Sequence, residues 1–171
     1  MKAILTGHTR GLGAAIAENL LARNIPVLAI ARTGNAALGK RYPAAMLEQV
    51  ELDLSDSASL ARWLGGGMLQ RFLSGCKTVL LINNAGMLQP IGPVQSQDLV
   101  AISRAIGLNV AAPMMLSSAV VTASPDASDR RILHVSSGAG RNAYPGWSIY
   151  GATKAALDQH ARSVALDQTP N

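Results

Sequence analysis

Thr6-Gly7-His8-Thr9-Arg10-Gly11-Leu12-Gly13 is the stretch on which the fold turns. Three apolar residues, 3–5, precede it. Apolar side chains at Leu12, Ala15, Ile16, Leu20 and Leu21 follow it. The first run reads as a buried strand, and the second has helical spacing and predicts a helix over 11–24. The glycines between them allow a tight turn and let the backbone approach a diphosphate closely. The N–H groups that open the helix then face an anion. A glycine-rich turn that binds nothing is the plain alternative. Its place between the first strand and the first helix favours ligand binding.

Outward from that turn the same alternation repeats. Strands are expected at 27–31, 49–52, 79–82 and 131–135. Asp56 is placed to cap a helix through Leu60 and Trp63, Gly65-Gly66-Gly67 to break it, and Met68–Leu73 to resume it. A long helix is expected over 96–123 and another over 149–167. Strands alternating with helices imply parallel pairing through right-handed crossovers. The fold class is therefore α/β, a doubly wound parallel sheet of the Rossmann-like kind. There is no internal repeat, linker or low-complexity segment, so residues 1–171 read as a single domain.

Composition narrows the function. Hydrophobic residues at 49% and charged residues at 15% describe a packed protein, and aromatics at 4% leave the core to Val, Ile, Leu and Ala. The net charge is +5, yet no basic run is longer than a pair such as Arg130-Arg131, and there is no basic stripe with interleaved aromatics. That argues against nucleic acid and for a small anionic ligand held by a few arginines. Cys76 is the only cysteine, which points to a reducing, cytoplasmic setting. The apolar run at the start is too short for a signal peptide. Residues 105–125 carry no charge, which raises a membrane span, but Asn109, Pro113 and Ser117-Ser118 interrupt them. A helix buried by other helices, at a subunit interface, is the expectation instead, with no membrane partner.

Individual residues suggest the chemistry. Strand 2 ends in Ala31-Arg32, with no carboxylate to repel a ribose 2′-phosphate and a guanidinium to clamp it; Arg10 is a second candidate. Two solvated surface arginines are the alternative. Tyr150 and Lys154 lie four apart and share a helix face, where an ammonium favours phenolate and suits a tyrosine to proton transfer. Ser136 and Ser137 follow strand 5, on the side where such sheets bind ligands. Strand-end hydrogen bonding is the other use of both, and Ser136 is assigned to it. Pro113 has no N–H for the carbonyl of Asn109, so the helix should kink there and leave that carbonyl free to hold a water. Tyr144, Pro145 and Trp147 either wall a substrate pocket or pack a loop.

With the spacing T-G-x-x-x-G-x-G, the run Asn83-Asn84-Ala85-Gly86, and Ser137 thirteen residues before Tyr150, the sequence resembles the short-chain dehydrogenase/reductase family along essentially its whole length. That resemblance implies the strand order 3-2-1-4-5. It implies a dinucleotide held by Gly7, Thr9, Arg10, Gly11, Leu12 and Gly13, by Arg32, by Asp53 and Leu54 at the adenine, and by Asn84, Ala85 and Gly86. From the residues alone Asp53 is equally a turn or capping residue. Arg10 and Arg32 look like those of members that prefer NADP(H). Tyr150 is then the acid/base, Ser137 orients the substrate oxygen, and Lys154 also holds the nicotinamide ribose. Asn109 binds a water that links Lys154 to solvent. The run 86–93 looks like that of benzil-reductase and sepiapterin-reductase-like members, so a small aromatic or vicinal dicarbonyl is the expected substrate, met in a pocket formed by Ser137, Tyr144 and Trp147. Family members pair through the two helices carrying Asn109 and Tyr150, which implies a homodimer or homotetramer. They also continue with further strands and a substrate-covering segment, so these 171 residues are expected to be incomplete as an enzyme. The alternative is a non-catalytic NADP(H) sensor or a degenerate member.

Overall fold

The computed structural model describes residues 1–167. The strands are β1 Lys2–Thr6, β2 Val27–Ala31, β3 Leu47–Glu51, β4 Thr78–Asn83 and β5 Asp129–His134. The helices are α1 Gly11–Ala22, α2 Ala36–Arg41, α3 Ser57–Leu64, α4 Met68–Leu73, α5 Leu99–Ile106, α6 Ala112–Ala123 and α7 Ser148–Asp167.

All five strands are parallel, in the order β3-β2-β1-β4-β5, as the family resemblance implies. Ile4 of β1 sits level with Leu28 on one side and Leu81 on the other. Successive residues face opposite sides of the sheet, and a parallel sheet is covered on both. Ile4, Leu28, Ile30 and Leu81 therefore pack against Leu60, Leu69 and Phe72 of α3 and α4 and Leu116 and Val120 of α6. Ala3, Leu5, Val27 and Ala29 pack on the other face against Ala17, Leu20 and Leu21 of α1 and Leu38 of α2. This is why β1 and β2 read as unbroken apolar runs. Among the described residues β5 pairs with β4 alone.

Local signals explain most boundaries. Asp56 caps α3, its carboxylate accepting the N–H groups of Ala58 and Ser59 at 3.0 Å. The triple glycine ends α3, and Gly67, at φ +77°, starts α4. Three features differ from the expectation. The short α2 is present, capped by Asn35, whose Oδ1 accepts from Leu38 N at 3.1 Å. The long helix starts at Leu99, capped by Asp98, after a 3-10 turn at Val94–Ser96. In place of a proline kink the chain inserts a π turn over Gly107–Ala111, with the N–H of Ala112 bonded to Gly107 O. The extra residue in that turn puts Pro113 in the first turn of α6, where it needs no N–H partner.

By length and composition Leu99–Ala123 is apolar enough to cross a membrane. In this fold its second half supplies Ala112, Leu116, Val120 and Ala123 to the core.

Candidate active site

The site lies beyond the carboxyl ends of the strands. β1 ends at Thr6, whose Oγ1 accepts the N–H groups of Asn84 and Ala85 at 3.0 and 2.9 Å. The Asn84 amide donates back to the carbonyls of Thr6 and Gly7 at 2.9 and 3.1 Å. The run after β4 is thus stapled to the start of the glycine turn. Gly7 and Gly11 take φ of +75° and +55°. A Cβ on Gly13 would stand 2.0 Å from Gly7 O, so only hydrogen fits there. Arg10 precedes α1 without a side-chain cap, which leaves the first amides of that helix open.

A cavity of about 840 Å³ opens over this turn. Gly7, Thr9, Arg10, Gly11, Leu12 and Gly13 line its floor. Arg32 lines it from the end of β2, Asp53 and Leu54 from the end of β3, and Asn84, Ala85 and Gly86 from the end of β4. Every residue expected at a cofactor, apart from Tyr150 and Lys154, therefore meets in one cavity. Arg10 and Arg32 are exposed there, and among the described residues neither makes a hydrogen bond or an ion pair. Asp53 serves its turn as well as the cavity. Its Oδ1 accepts from the N–H and hydroxyl of Ser55 at 2.9 and 2.7 Å, and its Oδ2 lies 3.8 Å from Arg104. The Ser55 hydroxyl above all, aided by Arg104 and Arg32, holds the Asp53 carboxyl below its ordinary value. Arg104 also lines the cavity, from α5, and no sequence signal marked it.

Tyr150 and Lys154 project from the first half of α7. Lys154 is buried, its Nζ 2.8 Å from Val135 O and 5.6 Å from the centre of the Tyr150 ring. Burial lowers the Lys154 pKa, and Asp158 opposes that shift. Ser137 follows β5 and accepts the N–H of Ala139 at 3.2 Å, capping a 3-10 turn at Gly138–Gly140. A Cβ on Gly140 would stand 2.9 Å from the Lys154 carbonyl carbon, so this turn lies flat on the α7 backbone and keeps Ser137 close to the helix. The strand-end bond assigned to Ser136 is not made by it. Ser137 makes the strand-end bond, whereas the buried Ser136 Oγ has no hydrogen-bond partner.

Asn109 is buried and fully engaged through its side chain. Its Oδ1 accepts from Met87 N at 2.9 Å, and its Nδ2 donates to Met87 O at 2.8 Å and to Thr153 Oγ1 at 3.1 Å. Thr153 in turn donates to Tyr150 O at 2.8 Å. The π turn, the segment after β4 and α7 are thus bound into one unit. Met87 and Thr153 act here through a backbone and a hydroxyl, which carry no motif. Tyr144, Trp147 and Tyr150 form a row, with ring centres 5.4 and 5.5 Å apart and the second pair edge-on. The backbone of Gly92 bonds that of Gly146 at 3.0 Å, and Gln97 donates to Gly92 O and Ser148 Oγ at 2.7 and 3.1 Å. The loop after β4 is thereby held against the aromatic row.

The family model for short chain dehydrogenase matches residues 1–171. A benzil reductase ((S)-benzoin forming) of Bacillus cereus is 32% identical over 174 residues, covering 96% of this chain and 68% of that enzyme. A solved short-chain dehydrogenase/reductase from Burkholderia vietnamiensis superposes with a TM-score of 0.95 at 55% identity, covering 99% of this chain and 78% of the other. A metagenomic short-chain oxidoreductase in complex with NADP gives 0.85 at 30% identity, over 98% and 75%. The chain spans about two thirds of the length of the curated relatives it matches.

Proposed function

The chain belongs to the short-chain dehydrogenase family, and from that membership we propose that it forms one NADP(H)-binding oxidoreductase domain reducing a small aromatic or vicinal dicarbonyl ketone. The cavity fits a dinucleotide. Its turn has no room for a side chain at Gly13, its helix presents uncapped amides, and two unpaired guanidiniums stand at its rim. Arg10 and Arg32 hold the 2′-phosphate and Lys154 the nicotinamide ribose. When bound, the nicotinamide supplies the hydride.

The protein's own part is proton handling and orientation. The Tyr150 hydroxyl gives a proton to the substrate oxygen. The Lys154 ammonium beside it stabilises the negative charge left on the phenol oxygen. Ser137 Oγ already accepts from Ala139, so its own hydrogen is left to donate to the same substrate oxygen. Asn109 fixes the π turn against α7 and holds a water that returns a proton by way of Lys154. Tyr144 and Trp147 offer ring faces and edges to an aromatic substrate. The benzil reductase likeness supports the same substrate class.

The observation that carries the reading is the bonding of α7 to the cavity lining: Thr153, beside Lys154 and bonded to the Tyr150 carbonyl, meets Asn109, which holds Met87 in the cavity wall. A panel of aromatic ketones, 1,2-diones and aliphatic ketones, run with NADPH and with NADH, tests it. Oxidation of NADPH with the aromatic diones is expected. Cofactor binding without turnover of any carbonyl would overturn the enzyme reading.

We also propose a cytoplasmic protein that pairs with a second copy through two helices, the one formed by α5 and α6 around Asn109 and α7, which carries Tyr150. Leu99 and Val100 are 80% and 67% exposed on α5, a patch that suits an interface.

A further inference from the structure

His8 lies inside the glycine turn and is wholly buried. Its Nε2 is 2.7 Å from Gln49 Oε1 on β3. The same Oε1 accepts the backbone N–H of Asn35 at 2.6 Å, so it must be the amide oxygen, and His8 Nε2 must carry the hydrogen. Gln49 Nε2 donates to Asn35 O at 3.3 Å, and the Asn35 amide reaches back to the carbonyls of His8 and Thr9 at 3.4 and 3.5 Å. Three side chains thus close a ring of bonds between the glycine turn, the turn after β2, and β3. The glycine turn carries Arg10, two residues past His8. The other turn carries Arg32, three residues before Asn35. Both arginines line the cavity, and among the described residues neither side chain has a hydrogen bond or salt bridge to fix it, though Arg32 feels the Asp53 carboxylate. The β1–β2 ladder, up to the bond from Gly7 N to Ile30 O, brings the two turns side by side, and beyond the ends of the strands this ring ties them together.

We propose that the His8–Gln49–Asn35 ring is a specificity-determining element, which holds Arg10 and Arg32 at the spacing that lets both close on one ribose 2′-phosphate. The inference rests on the NADP(H) reading above. Charge-assisted bonds are directional, and two long side chains meet one phosphate only from well-placed backbones. Burial keeps His8 below the ordinary histidine value, against the pull of its bond to Gln49. His8, Gln49 and Asn35 are positioning residues, since all their contacts are with the protein.

Calorimetric binding of 2′,5′-ADP and of 5′-AMP to the full 171-residue chain isolates the phosphate. The unmodified chain should prefer 2′,5′-ADP by about tenfold or more. His8→Leu and Gln49→Leu should bring the two ligands to within about threefold by weakening 2′,5′-ADP alone. His8→Gln, whose amide reaches the same oxygen, should restore the preference. Asn35→Ser keeps a capping oxygen for α2 and loses only the amide donors; it serves if a buried leucine prevents folding, and it should narrow the preference in the same way. Equal weakening of both ligands would mean a merely structural role and overturn the inference, as would a preference that survives every variant. An unmodified chain with no preference overturns the NADP(H) reading itself, and this inference with it.

Discussion

Tyr150 is expected to be the residue whose loss removes the reaction while sparing the fold. Its ring packs edge-on to Trp147, and its bond to Thr153 uses the backbone carbonyl, so Tyr150→Phe keeps both contacts. Turnover should fall by about 10²–10⁴-fold with cofactor affinity unchanged, measured by steady-state kinetics beside fluorescence titration. Near-normal turnover in the Phe variant removes Tyr150 from the mechanism. Arg32→Ala should shrink the preference for NADPH over NADH by about tenfold, since one charge-assisted contact is lost. The ratio of the two Kd values reads it, and an unchanged ratio assigns the 2′-phosphate elsewhere. These residues were legible because their chemistry is local: a Tyr and Lys on one helix face, an Arg where an acid stands in other dinucleotide sites. Arg104, Met87 and Thr153 were not, because each reaches the site from a different element and only the packing of α5 and α7 brings it there.

Among the elements, β4, β5 and α7 carry a partly buried polar line beside the site. Asn83 Nδ2 lies 3.1 Å from His134 Nδ1, and His134 Nε2 lies 3.1 Å from His160 Nδ1. Burial first, then the neighbouring His160 and Lys154, lowers the His134 pKa to about 4 from 6.5, with Asp158 opposing. The unfolded chain therefore takes up this proton before the folded one does. Stability from this group is intact above about pH 6.5 and declines as pH falls towards about 4, by up to about 3 kcal/mol. Urea midpoints between pH 7 and pH 4.5 should fall in the unmodified chain, and His134→Gln should flatten that part of the curve. A parallel decline in both would assign it to other groups. The strands and the main helices could be read from apolar period alone. The short α2 could not, because a helix of its length is marginal until Asn35 caps it and Leu38 is buried. Nor could the π turn, because an i→i+5 bond leaves no period in the residues that make it.

At the scale of the whole molecule, the exposed α5 face predicts association. Sedimentation at micromolar concentration should give a dimer or tetramer, and Leu99→Lys with Val100→Lys should shift it to monomer without loss of folding. A monomeric unmodified chain would remove this face as an interface. The β-α alternation made parallel pairing through right-handed crossovers readable, while the order of the sheet was legible only through the family resemblance. The pocket outline was less so, because the bracket of Gln97, Gly92 and Ser148 joins segments far apart in the chain. The crossings at Gly13 and Gly140 have a further meaning for anyone who diversifies this protein. They are points where the backbone of a strand-to-helix connection folds back on itself, so alanine at Gly13 pushes against Gly7 and alanine at Gly140 against the backbone of α7. A library that randomises Tyr144 and Trp147 can vary the pocket lining, but it cannot widen the cleft by enlarging those two glycines. Selection for bulkier substrates will therefore draw its winners from the rim, around Leu88, Ile91 and Tyr144, and leave the floor as it is.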